Sequence, residues 1–97
     1  MKVYIAGKIT GNPNYKKQFA KAEEKLKAAG HIVLNPVKSE GFSYKDCIDM
    51  GLCELMRCDA IYLLRDWKQS EGAYLEYTYA STTGMQIFYE QEGWQWK

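Results

Sequence analysis

The sequence predicts an α/β domain, a three-layer sandwich in which a four-stranded parallel sheet, ordered 2-1-3-4, carries helices on both faces. Three observations lead there. Four short apolar runs alternate with three stretches of helical period, giving the order β-α-β-α-β-α-β. Crossovers of helical length are right-handed and leave their strands parallel. The 97 residues hold one domain with one core, so residues 1–97 form a single unit whose tail, 90–97, packs on a sheet edge or an interface.

Each element has a local cause. Residues 2–6, KVYIA, form a strand that stops at Gly7, and the following loop carries turn signals at Gly11 and Asn12-Pro13. Residues 15–29 form a helix, because Phe19, Ala22, Leu26 and Ala29 recur at helical spacing while lysines and glutamates fill the other face; Gly30 ends it. Residues 31–34 form the second strand, closed by Asn35-Pro36. Ser43 followed by Asp46 has the spacing of a capping box, and the helix after it runs to about residue 57 with Ile48, Leu52, Leu55 and Met56 facing inward. Residues 59–64 contain the most apolar run, suited to a central strand. A polar loop, 65–71, leads to a helix over 72–83, ended by Gly84, and to a last strand over 85–89. The layout is flavodoxin-like.

Composition excludes several classes of function. Thirteen basic residues against twelve acidic ones give a net charge of +1, too little for a global field that attracts nucleic acid or an acidic membrane. Hydrophobic residues at 46% and charged residues at 26% fit a globular chain and not a disordered one. No apolar run approaches a membrane span or a signal-peptide core, so the expected location is the cytoplasm. Cys47, Cys53 and Cys58 lack metal-ligand spacing and the chain has one histidine, so reduced, partly buried thiols are expected, with no metal and no cofactor. The unusual figure is 14% aromatic residues.

In an open parallel sheet, ligands bind outside the carboxyl ends of the strands, where the strand order reverses. That rule selects Gly7, Lys8, Ile9, Thr10 and Gly11 after the first strand, Asn35 and Pro36 after the second, and Asp66, Trp67, Ser70 and Gly72 after the third. Backbone N–H groups of a glycine-bounded loop can approach an anion, and the helix start at Ser70–Gly72 favours negative charge. Lys8 can add a charge. Glu76 lies one turn into that helix, where a carboxylate can act as nucleophile or general base. Trp67, in a polar loop, is the candidate to stack on a planar ligand.

Taken together, these segments resemble the nucleoside 2-deoxyribosyltransferase superfamily, its short bacterial and phage members above all. The likeness rests on Tyr4-Ile5-Ala6-Gly7 with Gly11 closing the loop, Ala28-Ala29-Gly30-His31 before a strand, Cys58-Asp59-Ala60 and the Ser70-Glu71-Gly72-Ala73-Tyr74-Leu75-Glu76 block. It implies that Glu76 attacks the anomeric carbon of a nucleoside or nucleotide, with Tyr4 near the sugar or the nucleophile. It also implies a 5′-phosphate held by Ser70, Gly72 and the loop 7–11, since hydrolases of nucleoside 5′-monophosphates in the superfamily carry serine where Ser70 stands. Related proteins complete sites or cores between subunits, so a homo-oligomer is expected, with a small-molecule substrate and neither nucleic acid nor membrane as partner.

The sequence departs from the family at one place. Active members carry an aspartate eight residues before the Asp59 position, where it helps protonate or orient the leaving base, and this chain has Gly51 there. That leaves three readings: an N-glycosidic bond hydrolase or deoxyribosyltransferase, a non-catalytic binder of a nucleotide or nucleotide-derived signal, and an interaction protein that uses Trp94 and Trp96 of its tail.

Overall fold

The computed structural model describes residues 1–36 and 41–90. Strands β1 (Lys2–Ala6), β2 (Ile32–Leu34), β3 (Ala60–Leu63) and β4 (Gln86–Tyr89) alternate with helices α1 (Tyr15–Ala28), α2 (Tyr44–Met56) and α3 (Glu71–Thr83). The sheet order is β2-β1-β3-β4 and every pair is parallel. This is the predicted topology.

The strand period of two divides β1 between two cores. Val3 and Ile5 face α1, where Phe19, Ala22 and Leu26 meet Ala60, Tyr62 and Leu64 of the third-strand segment. Tyr4 and Ala6 face the other way, towards Leu55 of α2 and Ala73 and Ala80 of α3, with Ile61 and Leu63 beside them. The result is one helix on one face and two on the other. β1 and β3 lie in the middle, and apart from Lys2 their residues are all buried.

Strands β2 and β4 each begin one residue later than expected, for a common reason. His31 N–H donates to the Leu26 carbonyl at 3.1 Å and Met85 N–H to the Ala80 carbonyl at 2.9 Å. Both amides close the end of the preceding helix next to a glycine with positive φ, Gly30 or Gly84, and so are not available to the ladder. The capping box of α2 is complete: Asp46 N–H donates to Ser43 Oγ at 3.0 Å and Ser43 N–H to Asp46 Oδ2 at 3.2 Å.

Met56 corrects an expectation. It is 54% exposed, not inward-facing. Helix α2 turns Gly51 and Leu55 to the interior, and the residue after Leu55 is rotated about 100° away from that line. The loop 65–71 contains a short 3₁₀ turn, Trp67–Gln69. Cys47 and Cys53 are exposed; only Cys58 is partly buried, and burial pushes its thiol up to about 11. Among the described residues no helix is long and apolar enough to cross a membrane, and no three His, Cys, Asp or Glu side chains gather as a metal site. The tail from residue 91 onward, with Trp94 and Trp96, lies outside the described residues.

Candidate functional site

The carboxyl end of β1 opens beside the N-terminal turns of α2 and α3. A cavity of about 310 Å³ lies there, within the range of small-molecule sites. Its wall includes Tyr4 and Gly7 from the first strand and its end, Ile9 and Thr10 from the loop, and Ser70, Gly72, Ala73 and Glu76 from the start of α3. Tyr15, Pro36, Phe42, Tyr44, Cys47 and Ile48 complete it.

Glu76 is the buried carboxyl of the wall. It is 7% exposed and is the one charged side chain on the wall among the described residues. The Tyr4 hydroxyl donates to Glu76 Oε2 at 2.6 Å, across 72 positions of sequence. Burial pushes the carboxyl from its ordinary 4.5 up to about 7; the bond from Tyr4 pulls it down and the charge of Glu54 pushes it further up. Tyr4 is raised well above its ordinary range by burial first and by the neighbouring Glu76 second. At neutral pH the pair therefore holds a carboxyl poised between its two states, with a phenol that stays protonated and donates.

Two glycines let the helices come this close. A Cβ on Gly51 would run into Glu76 Oε2 and would lie 2.7 Å from Tyr4 Oη. The backbone of α2 itself therefore covers the Tyr4–Glu76 pair. A Cβ on Gly72 would lie 2.8 Å from Ile48 Cδ1, so that glycine sets the approach of α3 to α2. Ser70 caps α3: its Oγ accepts from Ala73 N–H at 3.1 Å.

The structure brings together Tyr4, Gly7, Ile9, Thr10, Ser70, Gly72 and Glu76 of the expected site residues, and Pro36 with them. Five others stand elsewhere. Asn35 is off the wall and donates through Nδ2 to Glu23 Oε1 at 2.9 Å. Trp67 is 3% exposed and packs against Tyr77, Tyr74 and Tyr89 at centroid distances of 4.6, 5.7 and 6.2 Å, so it is a core residue and not a ligand platform. The polar loop predicts Trp67 at the cleft, but the 3₁₀ turn carries its ring against Tyr74 and Tyr77 of α3. Asp66 is a brace: it accepts from Lys8 N–H at 3.1 Å and from Asn12 Nδ2 at 3.3 Å, tying the loop after β1 to the end of β3. Lys8 Nζ donates to the Gln69 carbonyl at 3.4 Å and lines an adjoining depression with Thr10, Tyr44 and Ser70. Gly11, at φ +77°, shapes the loop and is not on the wall. Sequence reasoning missed Tyr15, Phe42 and Tyr44. The available signal was the pair of aromatics flanking the Ser43 cap, because a residue beside a helix start at the carboxyl end of a sheet overlooks the cleft.

A family model described as a domain of unknown function, DUF4406, matches residues 1–89. The chain belongs to the DUF4406 family. No curated protein matches it. Solved structures do. The DUF4406 chain is similar to a 2-deoxyribosyltransferase from Leishmania mexicana, with a TM-score of 0.72 and 20% identity over 91% of this chain and 62% of that one. It therefore spans less than two thirds of the Leishmania chain. A 2-deoxyribosyltransferase from Bacillus psychrosaccharolyticus gives a TM-score of 0.71 at 20% identity, covering 92% of this chain and 71% of that one. The CMP N-glycosidase BcmB from Clostridium botulinum gives 0.67 at 20% identity, covering 92% and 70%. At this identity the likeness establishes the fold, which is the one the sequence resemblance implied.

Proposed function

We propose that this protein cleaves the N-glycosidic bond of a nucleoside or nucleotide through Glu76. The carrying observation is a buried carboxylate, the one charged side chain among the described residues of an aromatic-walled cavity, held at one oxygen by Tyr4. Tyr4 fixes Oε2, which leaves Oε1 for attack on the anomeric carbon. The bond to the base breaks as the glycosyl ester forms, and water or a second base then resolves the ester, as in retaining glycosidases. Where the substrate carries a 5′-phosphate, the start of α3 with Ser70 and Gly72 and the neighbouring Lys8 supply its donors. The activities named for the three similar structures support this reading as a class. Exposed Tyr74 and Leu75 on α3 support the accompanying expectation of a homo-oligomer, which mass in solution will test.

The test is chromatography of free base after incubation with a panel of nucleosides and 5′-monophosphates. Base release is expected, and Glu76→Ala should lower it at least roughly a thousandfold. Release that survives in the variant rejects Glu76 as nucleophile.

Gly51 favours a second reading, a pocket that binds a nucleotide or nucleotide-derived signal without turnover. The backbone of α2 fills the place beside the carboxylate, so no acidic side chain can stand at position 51 in this packing. Ligands that raise the melting temperature without being consumed would select this reading over the first.

A further inference from the structure

A neutral nucleobase leaves as an anion unless something protonates it, and a positioned acid is worth roughly 10²–10⁴ in rate. Glu76 cannot serve as both nucleophile and acid in the same step. Tyr4 already donates its proton to Glu76 Oε2. The position facing them is closed by Gly51. The other described polar groups on the wall are hydroxyls and a thiol, with neither a second carboxyl nor an imidazole among them. The cavity nevertheless holds a distinctive set of features. Three aromatic rings, Tyr15, Phe42 and Tyr44, stand on the same wall as the buried carboxylate, and no described basic side chain does. Phe42 and Tyr44 are 51% and 54% exposed, so their rings are free to meet a ligand. Aromatic rings beside one negative charge, the only one among the described residues of the wall, make a receptor for an organic cation.

From this arrangement we infer that the site takes N-glycosides whose base is itself a cation, of the pyridinium-nucleoside kind. The inference rests on the N-glycosidase reading and narrows its substrate class. The chemistry balances without an acid. Glu76 Oε1 bonds to the anomeric carbon, the carbon–nitrogen bond breaks, and its electron pair stays on the ring nitrogen and cancels the positive charge. The base leaves neutral. Water then attacks the same carbon, the ester bond breaks to restore the carboxylate, and one proton passes to solvent. Aromatic rings hold the base while it is charged and release it once it is neutral.

The experiment compares nicotinamide riboside, a cation, with dihydronicotinamide riboside, its neutral counterpart of nearly the same shape. Both are used as ribosyl and 2-deoxyribosyl forms, at pH 8 where Glu76 is ionised, alongside neutral purine and pyrimidine nucleosides. The expected kcat/KM favours the cation at least about 100-fold. In a second arm, N1-methylnicotinamide should bind about 10-fold more tightly than nicotinamide, and Tyr44→Leu should erase most of that preference. Neutral nucleosides cleaved as fast as the cation overturn the inference and leave the N-glycosidase reading standing. Equal binding of the two nicotinamides also overturns it. Absence of cleavage across both classes rejects the N-glycosidase reading, and the inference falls with it.

Discussion

The two faces of the sheet are built from alternate residues of the same strands, yet they are put to different uses. Against α1, Val3, Ile5, Phe19, Leu26 and Leu64 pack as hydrocarbon, with the Tyr62 ring among them. Against α2 and α3, the equivalent layer contains Tyr4 bonded to a buried carboxylate, two glycines in place of side chains, and Trp67, whose buried Nε1 has no hydrogen-bond partner among the described residues. A buried carboxyl and an unpaired N–H each cost stability that hydrocarbon does not. The first face therefore supplies the cohesion that the second gives up to hold its chemistry.

Substitutions on each face test that contrast. Phe19→Ala should cost about 3–5 kcal/mol in denaturant unfolding, because it opens a cavity in the dry face. A loss below 1 kcal/mol would mean that α1 is not the main source of cohesion.

The next effect is one of pH. Folded Glu76 keeps its proton up to about 7 against an ordinary 4.5, so between these values the native state binds more protons than the unfolded chain. The stabilisation is full below about pH 4.5 and is lost as pH rises through about 7. It amounts to roughly 3 kcal/mol at most. Glu76→Gln should remove this part of the pH dependence between pH 5 and pH 8, whereas Phe19→Ala should leave it in place. Activity should run the opposite way and rise through about pH 7, since the nucleophile must be ionised.

Gly51→Ala ranks third. Alanine gains about 1 kcal/mol in a helix, but its methyl group would overlap the Tyr4–Glu76 pair, and overpacking costs roughly 1–3 kcal/mol. A net fall in stability is expected, with the titration of Glu76 displaced. A more stable variant with unchanged titration would show that α2 does not close over the pair. The smallest effect is that of Trp67→Phe. It removes the unpaired N–H together with some packing, and should change stability by no more than about 1 kcal/mol.

The strand order, the three helices, the capping box at Ser43 and the placing of Glu76 at the mouth of the sheet were all legible in the sequence. Periodicity, cap spacing and the strand-end rule are local or topological signals, and a single chain displays them. Asp66 and Trp67 show where that legibility stops. Both occupy the segment after β3 that the rule selects, but one is consumed as a brace for the loop after β1 and the other is turned into the core. The rule selects segments, and it does not say which way a side chain points.

Local pattern by itself determined the architecture of this protein, because a strand apolar on both faces, such as β1, must be covered by helices on both sides. Whether Glu76 is a solvated surface residue or a buried acid poised near neutrality was decided by tertiary structure alone. That outcome depends on Tyr4, 72 positions away, and on a helix brought close enough by Gly51 to shut out water. Burial and long-range contact set the energy of a charge, and neither is written in the residues beside it.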